Sequence, residues 1–329
     1  MTTIAPYDFD GHVEWAGFVG DEPAFALAEG QIHFPTGATK LVEAHDGLLA
    51  AAISRTGTAI LTSGEDGRVL RTDASGQTEI LSEHGGKWID VIAAGPDDAV
   101  AYASGRTVWV RTKDGSLHTF EHERAVEGLC FAPKGLRIAC ARYNGVSLHW
   151  VVGNAKPVDL HWDGAHTAVT FSPDGKYIVT SMVENALHGW RLDDKKSGDG
   201  KHMRMSGYPA KPKSLSWSVK GKWLASSGAQ AAVCWPFTGK DGPMGKAPKE
   251  LGTRGDSMVV AVACHPSEDV VAIGYADGMI MAVKIEDAAE VLLRRPGGSP
   301  VTTMNWDQSG MRLAFGTEKG ESGLVTIAD

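Results

Sequence analysis

The sequence predicts an all-β fold: a single eight-bladed β-propeller of four-stranded antiparallel blades, with a seven-bladed ring as the alternative count. Three observations predict it. A strand-and-turn unit recurs eight times along the chain. The segments between turns are short runs of alternating apolar residues split by Gly, Asp and Pro, the pattern of antiparallel strands. No segment sustains a helical period, which excludes an alternating α/β architecture.

The clearest unit is AHTAVTFSPDGKYIVTSMVENALHGWRL, residues 165–192. An alternating strand ends at Phe171, a tight turn follows at Pro173-Asp174-Gly175, and a second strand begins at Tyr177. A polar turn leads to a third strand that ends at Trp190. The position of Phe171, with its turn, is occupied in the other units by Phe18, Ile53, Ala94, Phe131, Trp217, Cys264 and Trp306. Successive anchors lie 35, 41, 37, 40, 46, 47 and 42 residues apart. A four-stranded blade needs about 40–45 residues, so the spacing is that of propeller repeats.

The fourth strand of each blade is the short linking segment between units: ATKLVEAH, QTEILSEH, SLHTFEHE, KPVDLHWDG and their later equivalents. Eight units have only seven such links, because the chain ends directly after the eighth third strand. Residues 4–12, IAPYDFDGH, are similar to the link at 156–164. The N-terminal strand is therefore expected to complete the last blade within one domain spanning 1–329, leaving no open sheet edge to template aggregation. A single unit is too small to bury its own faces, so blades need neighbours.

On these residues the chain resembles the WD-repeat family. The resemblance is carried by FSPDG at 171–175, by Trp150, Trp190 and Trp235 on third strands, by the Asp66-Gly67 and Asp277-Gly278 turns, and by histidines ahead of first strands. It spans essentially the whole sequence. The departures are that Gly-His occurs only at Gly11-His12 and that no Trp-Asp closes a third strand. In the family a histidine, a strand hydroxyl, a turn aspartate and the tryptophan form a buried hydrogen-bonded network. No unit here keeps all four: His45 has Asp66 but Thr72 at the tryptophan site, and Trp190 has Glu184 in place of the aspartate. The resemblance implies a non-catalytic scaffold for protein partners.

Composition narrows the function classes. The chain is 43% hydrophobic and 22% charged, with 40 scattered glycines suited to many turns. No apolar run approaches the about 18 residues of a membrane span, and the first residues have no signal-peptide character, so no membrane partner and a cytoplasmic location are expected. A formal net charge of −8 argues against nucleic acid. The four cysteines lie in strand-like segments without a C-x-x-C pair and read as buried free thiols. No nucleophile elbow, H-E-x-x-H, P-loop or EF-hand is present, and the glycine-rich 239–246 stretch lies in a blade link. The reading is no enzyme and no cofactor, with a hydrolytic enzyme as the least favoured alternative.

Three groups of residues are candidates for contact. The histidines in loops before first strands are His12, His45, His84, His122 and His166. His12, His45 and His84 are the candidates if imidazoles converge on a metal or small ligand; otherwise each histidine ties its own loop to the neighbouring turn. On the same expected face, Arg106, Arg142, Tyr143, Tyr208, Arg254 and Tyr275 are read as surface anchors, since Arg and aromatic side chains dominate protein interfaces. The tryptophans there, Trp15, Trp88 and Trp162, are expected mostly to plug between blades. The third group is Lys195, Lys196, Lys201, Lys220, Lys222, Lys240, Lys246 and Lys249 in loops of the opposite face. Residues 1–50 carry eight acids against Lys40 alone, whereas 195–249 carry ten lysines and Arg204 against two acids. Such an asymmetry steers an acidic partner toward the lysines.

Overall fold

A computed structural model describes residues 2–192, 202–239 and 241–327. The turn after each anchor shows how the sequence builds these sheets. Ser54, Ser172, Ser218 and Asp307 occupy one position, and the glycine three residues on donates its N–H back to that residue's carbonyl at 2.8, 2.8, 2.8 and 3.1 Å. Those glycines have φ of 73, 74, 65 and 77°, the left-handed region that a side chain disfavours. The serine hydroxyl or Asp307 Oδ1 then accepts the N–H five residues on, at 3.0–3.2 Å. Each turn therefore fixes the register of the hairpin it starts, Ile53 opposite Ile60 and Phe171 opposite Ile178.

The strands form seven antiparallel sheets among the described residues: six of four strands and one of six. The expectation of eight separate four-stranded blades is corrected by this count. Sequence units four and five share the six-stranded sheet, which runs from Val126–Phe131 to His202–Met205 through Arg137–Trp150 and Val158–Phe171, two strands of 14 residues each. The physical reason lies at Asn144-Gly145 and Gly164, with φ of 64, 130 and 124°. There the chain changes direction while staying extended, so pairing continues across register shifts at Tyr143/Gly145 and His166/Ala168 instead of stopping at a loop. Val151 N–H donates to Leu136 O at 3.0 Å, so the Arg137–Trp150 strand folds back upon itself. A Cβ at Gly145 would sit 2.0 Å from Leu160 O, so only glycine fits that bend.

Two compact units are present. The first, Met1–Glu43 with Tyr208–Asp329, holds four four-stranded sheets. In it Thr2–Asp8 pairs antiparallel with Glu321–Ile327, beside Val301–Trp306 and Arg312–Thr317. Phe9 N–H donates to Gly320 O at 3.2 Å, and Thr302 Oγ1 and Asn305 Nδ2 donate to Val13 O and Ala16 O at 2.6 and 2.7 Å. Its core includes Leu251, Val271, Ile273 and Val283 between facing sheets, and Phe25 beneath Tyr7 and Phe9. The second unit, Ala44–Gly207, holds two four-stranded sheets and the six-stranded one. Its sheets meet over Val108, Val110, Phe131 and Ile138, and within the six-stranded sheet Leu160, Phe171, Ile178 and Trp190 pack together. Each such side chain contributes about 1.5–3 kcal/mol by leaving water. No helix among the described residues is long and apolar enough to cross a membrane.

Candidate functional site

Beneath the loops that enter first strands lie short polar networks, and they account for the recurring histidines. His45 is buried; its Nδ1 lies 3.0 Å from Asp66 Oδ1 and its Nε2 2.9 Å from Thr62 Oγ1. Asp66 also accepts from Arg68 at 2.7 Å. Burial pushes His45 below its ordinary value, with Asp66 opposing. Burial alone would raise Asp66, but hydrogen bonds from Arg68 and His45 hold it below the usual carboxylate range. His84 bonds Ser82 Oγ and Tyr102 Oη at 3.0 and 3.1 Å and stacks on Trp109. His166 reaches Thr180 Oγ1 at 2.7 Å and donates from Nε2 to Trp162 O at 3.0 Å. His12 lies 3.5 Å from Glu14. The metal candidates His12, His45 and His84 are thus each engaged by separate partners, His84 by one residue from each of two sheets, and form no ligand cluster among the described residues.

One unit departs from this pattern. His122, Cys140 and His149 place one ligand atom each within 4.8 Å of one another, the one such group among the described residues. Register makes Cys140 the equivalent of Thr180 and Thr62, and His149 the equivalent of Trp190. The Nε2 atoms of both histidines are closed off from solvent and have no hydrogen-bond partner. Burial is the main cause that lowers both imidazoles, His122 to about 4.

The six residues read as surface anchors separate into three pairs. Arg106 is exposed on the turn between second and third strands, and Tyr143 is 51% exposed within the Arg137–Trp150 strand, opposite Ala165. Arg142 and Arg254 are held in ion pairs with Asp159 and Glu290, at 2.7 and 3.0 Å. Tyr208 and Tyr275 are buried, which corrects their reading as anchors. Tyr208 Oη accepts the Trp235 indole N–H at 2.6 Å and donates to Ser226 Oγ at 2.6 Å, which donates to Val233 O. Tyr275 Oη donates to Gly252 O. The Tyr208 phenol, bonded to Ser226 and Trp235 at the positions of Thr180 and Trp190, fills the place that a histidine network fills elsewhere.

Trp88, expected as a plug, is instead 61% exposed. Its loop is pinned by His84 N–H to Gly67 O at 2.8 Å and by Ile89 N–H to Gly64 O at 3.1 Å. The next loop is pinned in the same way, His122 N–H to Arg106 O and Val126 N–H to Gly105 O at 2.9 and 2.8 Å. Trp88 and Arg106 therefore sit on pinned loops, and Tyr143 at the bend of the paired Arg137–Trp150 strand, at one end of the second unit's sheets. The glycines Gly85-Gly86 ahead of Trp88, which offer nothing to pack on, were the sequence signal for its exposure.

Of the lysines, Lys195, Lys196, Lys201 and Lys240 lie outside the described residues. Lys220 and Lys222 are exposed on a turn. Lys246 bonds the carbonyls of Thr238 and Gly242, and Lys249 those of Ile285 and Glu286 while lying over the Trp223 ring. A basic cleft that sequence reading missed lies in the second unit. It is a cavity of about 170 Å³ lined by Arg55, Arg71, Arg111 and Lys113 against Glu79 and Asp98.

Among solved structures, the chain is similar to the C-terminal WD40 domain of Sif2, with TM-score 0.78 and 12% identity over 99% of each chain. It is similar to the Dos1 propeller, with TM-score 0.76 and 13% identity over 98% of this chain and 95% of that one. It is also similar to the computationally designed Ika8 protein, with TM-score 0.76 and 20% identity over 97% and 98%. No family model matches the sequence. No curated protein matches it either. The fold is that of WD40-repeat β-propellers, with seven sheets in this chain.

Proposed function

We propose that the protein is a non-catalytic interaction platform that docks a protein partner on the end of the second unit bearing Trp88, Arg106 and Tyr143. The observation that carries this reading is the exposure of two large aromatic side chains on fixed backbone, Trp88 at 61% on a loop pinned by hydrogen bonds and Tyr143 at 51% on a paired strand. Aromatic rings on rigid backbone lose little entropy on binding and supply large contact area, which is why they anchor interfaces. The WD40 fold is typically a scaffold of this kind, and it supports the reading without carrying it. The four free thiols suit a reducing compartment, and we place the protein in the cytoplasm.

An acidic partner is supported by the four-cation cleft of the second unit and by exposed Lys220 and Lys222 in the first. The test is affinity purification from the native host with quantitative mass spectrometry, using wild type, Trp88→Ala with Tyr143→Ala, Arg71→Glu with Arg111→Glu, and Lys220→Glu with Lys222→Glu. A stoichiometric partner lost only with the aromatic pair supports the docking end. Loss with either charge-reversed pair supports the acidic partner. Recovery of the same partners by every variant sinks the proposal.

A further inference from the structure

We infer that His122, Cys140 and His149 form a three-coordinate site for a soft metal ion, Cu(I). His122 lies in the loop from Leu117–Glu121 of one sheet to Val126–Phe131 of the six-stranded one, and Cys140 and His149 come from the two halves of the Arg137–Trp150 strand. In the neighbouring units the same positions hold a hydrogen-bonded set, His45 with Thr62 or His166 with Thr180, in which the imidazole nitrogens are matched. Here a thiol replaces the hydroxyl and an imidazole replaces the tryptophan. What results is not a repaired hydrogen-bond network, because both Nε2 atoms are left buried without a partner. Leaving such an atom unmatched costs about 1–3 kcal/mol, so two together at one sulfur need an explanation. A metal ion supplies one, since it takes the lone pairs that no donor meets.

The donor set is two imidazole nitrogens and one thiolate. Metal–nitrogen and metal–sulfur bonds of about 2.0 and 2.3 Å place the ligand atoms of a trigonal site about 3.5–3.8 Å apart. They already lie within 4.8 Å, so small side-chain rotations close the site. Thiolate with imidazole selects copper and zinc among common ions. Two features favour monovalent copper. The group contains three ligands among the described residues, and Zn²⁺ prefers four. Cys140 is fully buried, where charge neutrality matters most, and one thiolate neutralises Cu(I) but not Zn²⁺. Binding replaces the S–H bond by S–Cu and releases one proton to solvent, with no change of oxidation state.

The full chain is titrated anaerobically with Cu(I) buffered by a chromogenic chelator, and separately with Zn²⁺. Readouts are stoichiometry, an ultraviolet thiolate-to-copper charge-transfer band, and X-ray absorption for one sulfur and two nitrogens. The variants are His149→Phe, Cys140→Ala and, as a control thiol elsewhere, Cys234→Ala, each checked for native circular dichroism. The expected result is one Cu(I) per chain, with affinity lowered about a hundredfold or more by His149→Phe or Cys140→Ala and unchanged by Cys234→Ala. His149→Phe changes no thiol, so it tests the site even where Cys140→Ala fails to fold. Unchanged Cu(I) affinity in His149→Phe, or no binding by wild type, overturns the site. Preferential 1:1 binding of Zn²⁺ through the same residues overturns the assignment to copper.

Discussion

Replacing Tyr208 by phenylalanine removes one oxygen from the first unit, and the structure sets what that oxygen is worth. The direction of its network is forced. An indole N–H only donates and a backbone carbonyl only accepts, so the chain runs from Trp235 Nε1 to Tyr208 Oη, then to Ser226 Oγ, then to Val233 O. Tyr208→Phe deletes two hydrogen bonds and strands the buried Trp235 N–H. The Ser226 bond contributes about 1 kcal/mol net, and losing the Trp235 bond leaves an unmatched buried donor that costs about 1–3 kcal/mol, so a loss of about 2–4 kcal/mol is expected. The assay is urea denaturation followed by tryptophan fluorescence, read as a shift in midpoint at constant m. The double variant Tyr208→Phe/Trp235→Phe removes the stranded donor as well. It should therefore be destabilised by less than the sum of the singles, by about 1–2 kcal/mol. A Tyr208→Phe protein within about 0.5 kcal/mol of wild type, or strictly additive singles, would refute the network as the reason this residue is buried.

Three further expectations follow from the same structure. Deleting residues 2–8 should lower the melting temperature by several degrees, and Gly320→Ala should do so in milder form, because its Cβ would fall 1.8 Å from Phe9 O; scanning calorimetry that finds either variant melting like wild type removes the N-terminal strand from the last sheet's stability. His188 is fully buried, stacked on Trp162, and held at about 3 against an ordinary 6.5, first by burial and then by His166, His202 and Arg204. The unfolded chain takes up this proton first, so stability should be full above pH 6.5 and fall by roughly 4 kcal/mol as pH drops toward 3, and His188→Gln should flatten that part of the urea-midpoint profile. Trp88→Ala should leave stability within about 0.5 kcal/mol while weakening capture of any partner that docks on its loop, measured by calorimetric titration; a large loss of stability would show that Trp88 packs rather than presents.

Much of the fold was legible because it is written in local chemistry. The serine or aspartate at the turn, the glycine three residues later and the alternating strands that follow are short-range signals, and each became the hairpin it implied. The sheet count was less legible. Whether units four and five separate depends on how the chain bends at Asn144-Gly145 and Gly164, and sequence spacing alone treats those glycines like any others. The anchors show a second limit. Tyr208 and Tyr275 lie at loop and strand ends, where exposure is the ordinary expectation, yet Ser226 on a strand and the Gly252 carbonyl in a loop receive their hydroxyls inside. Trp88 shows the converse: a large apolar ring with Gly85-Gly86 before it and nothing to cover it.

The sequence by itself determined the strand pattern, the turn chemistry, the repeat length and the absence of recognisable catalytic motifs, since all of these depend on residues within a few positions of one another. Only the tertiary structure decided which residues meet. His122, Cys140 and His149 are 18 and 9 residues apart, a spacing with no meaning on any one strand. They converge because pairing register places the His45, Thr62 and Thr72 positions of one unit, and the equivalent positions of the next, around a common point between strands. Register is a long-range property, fixed by the burial of whole sheet faces, and for that reason the cluster was invisible until the sheets were formed.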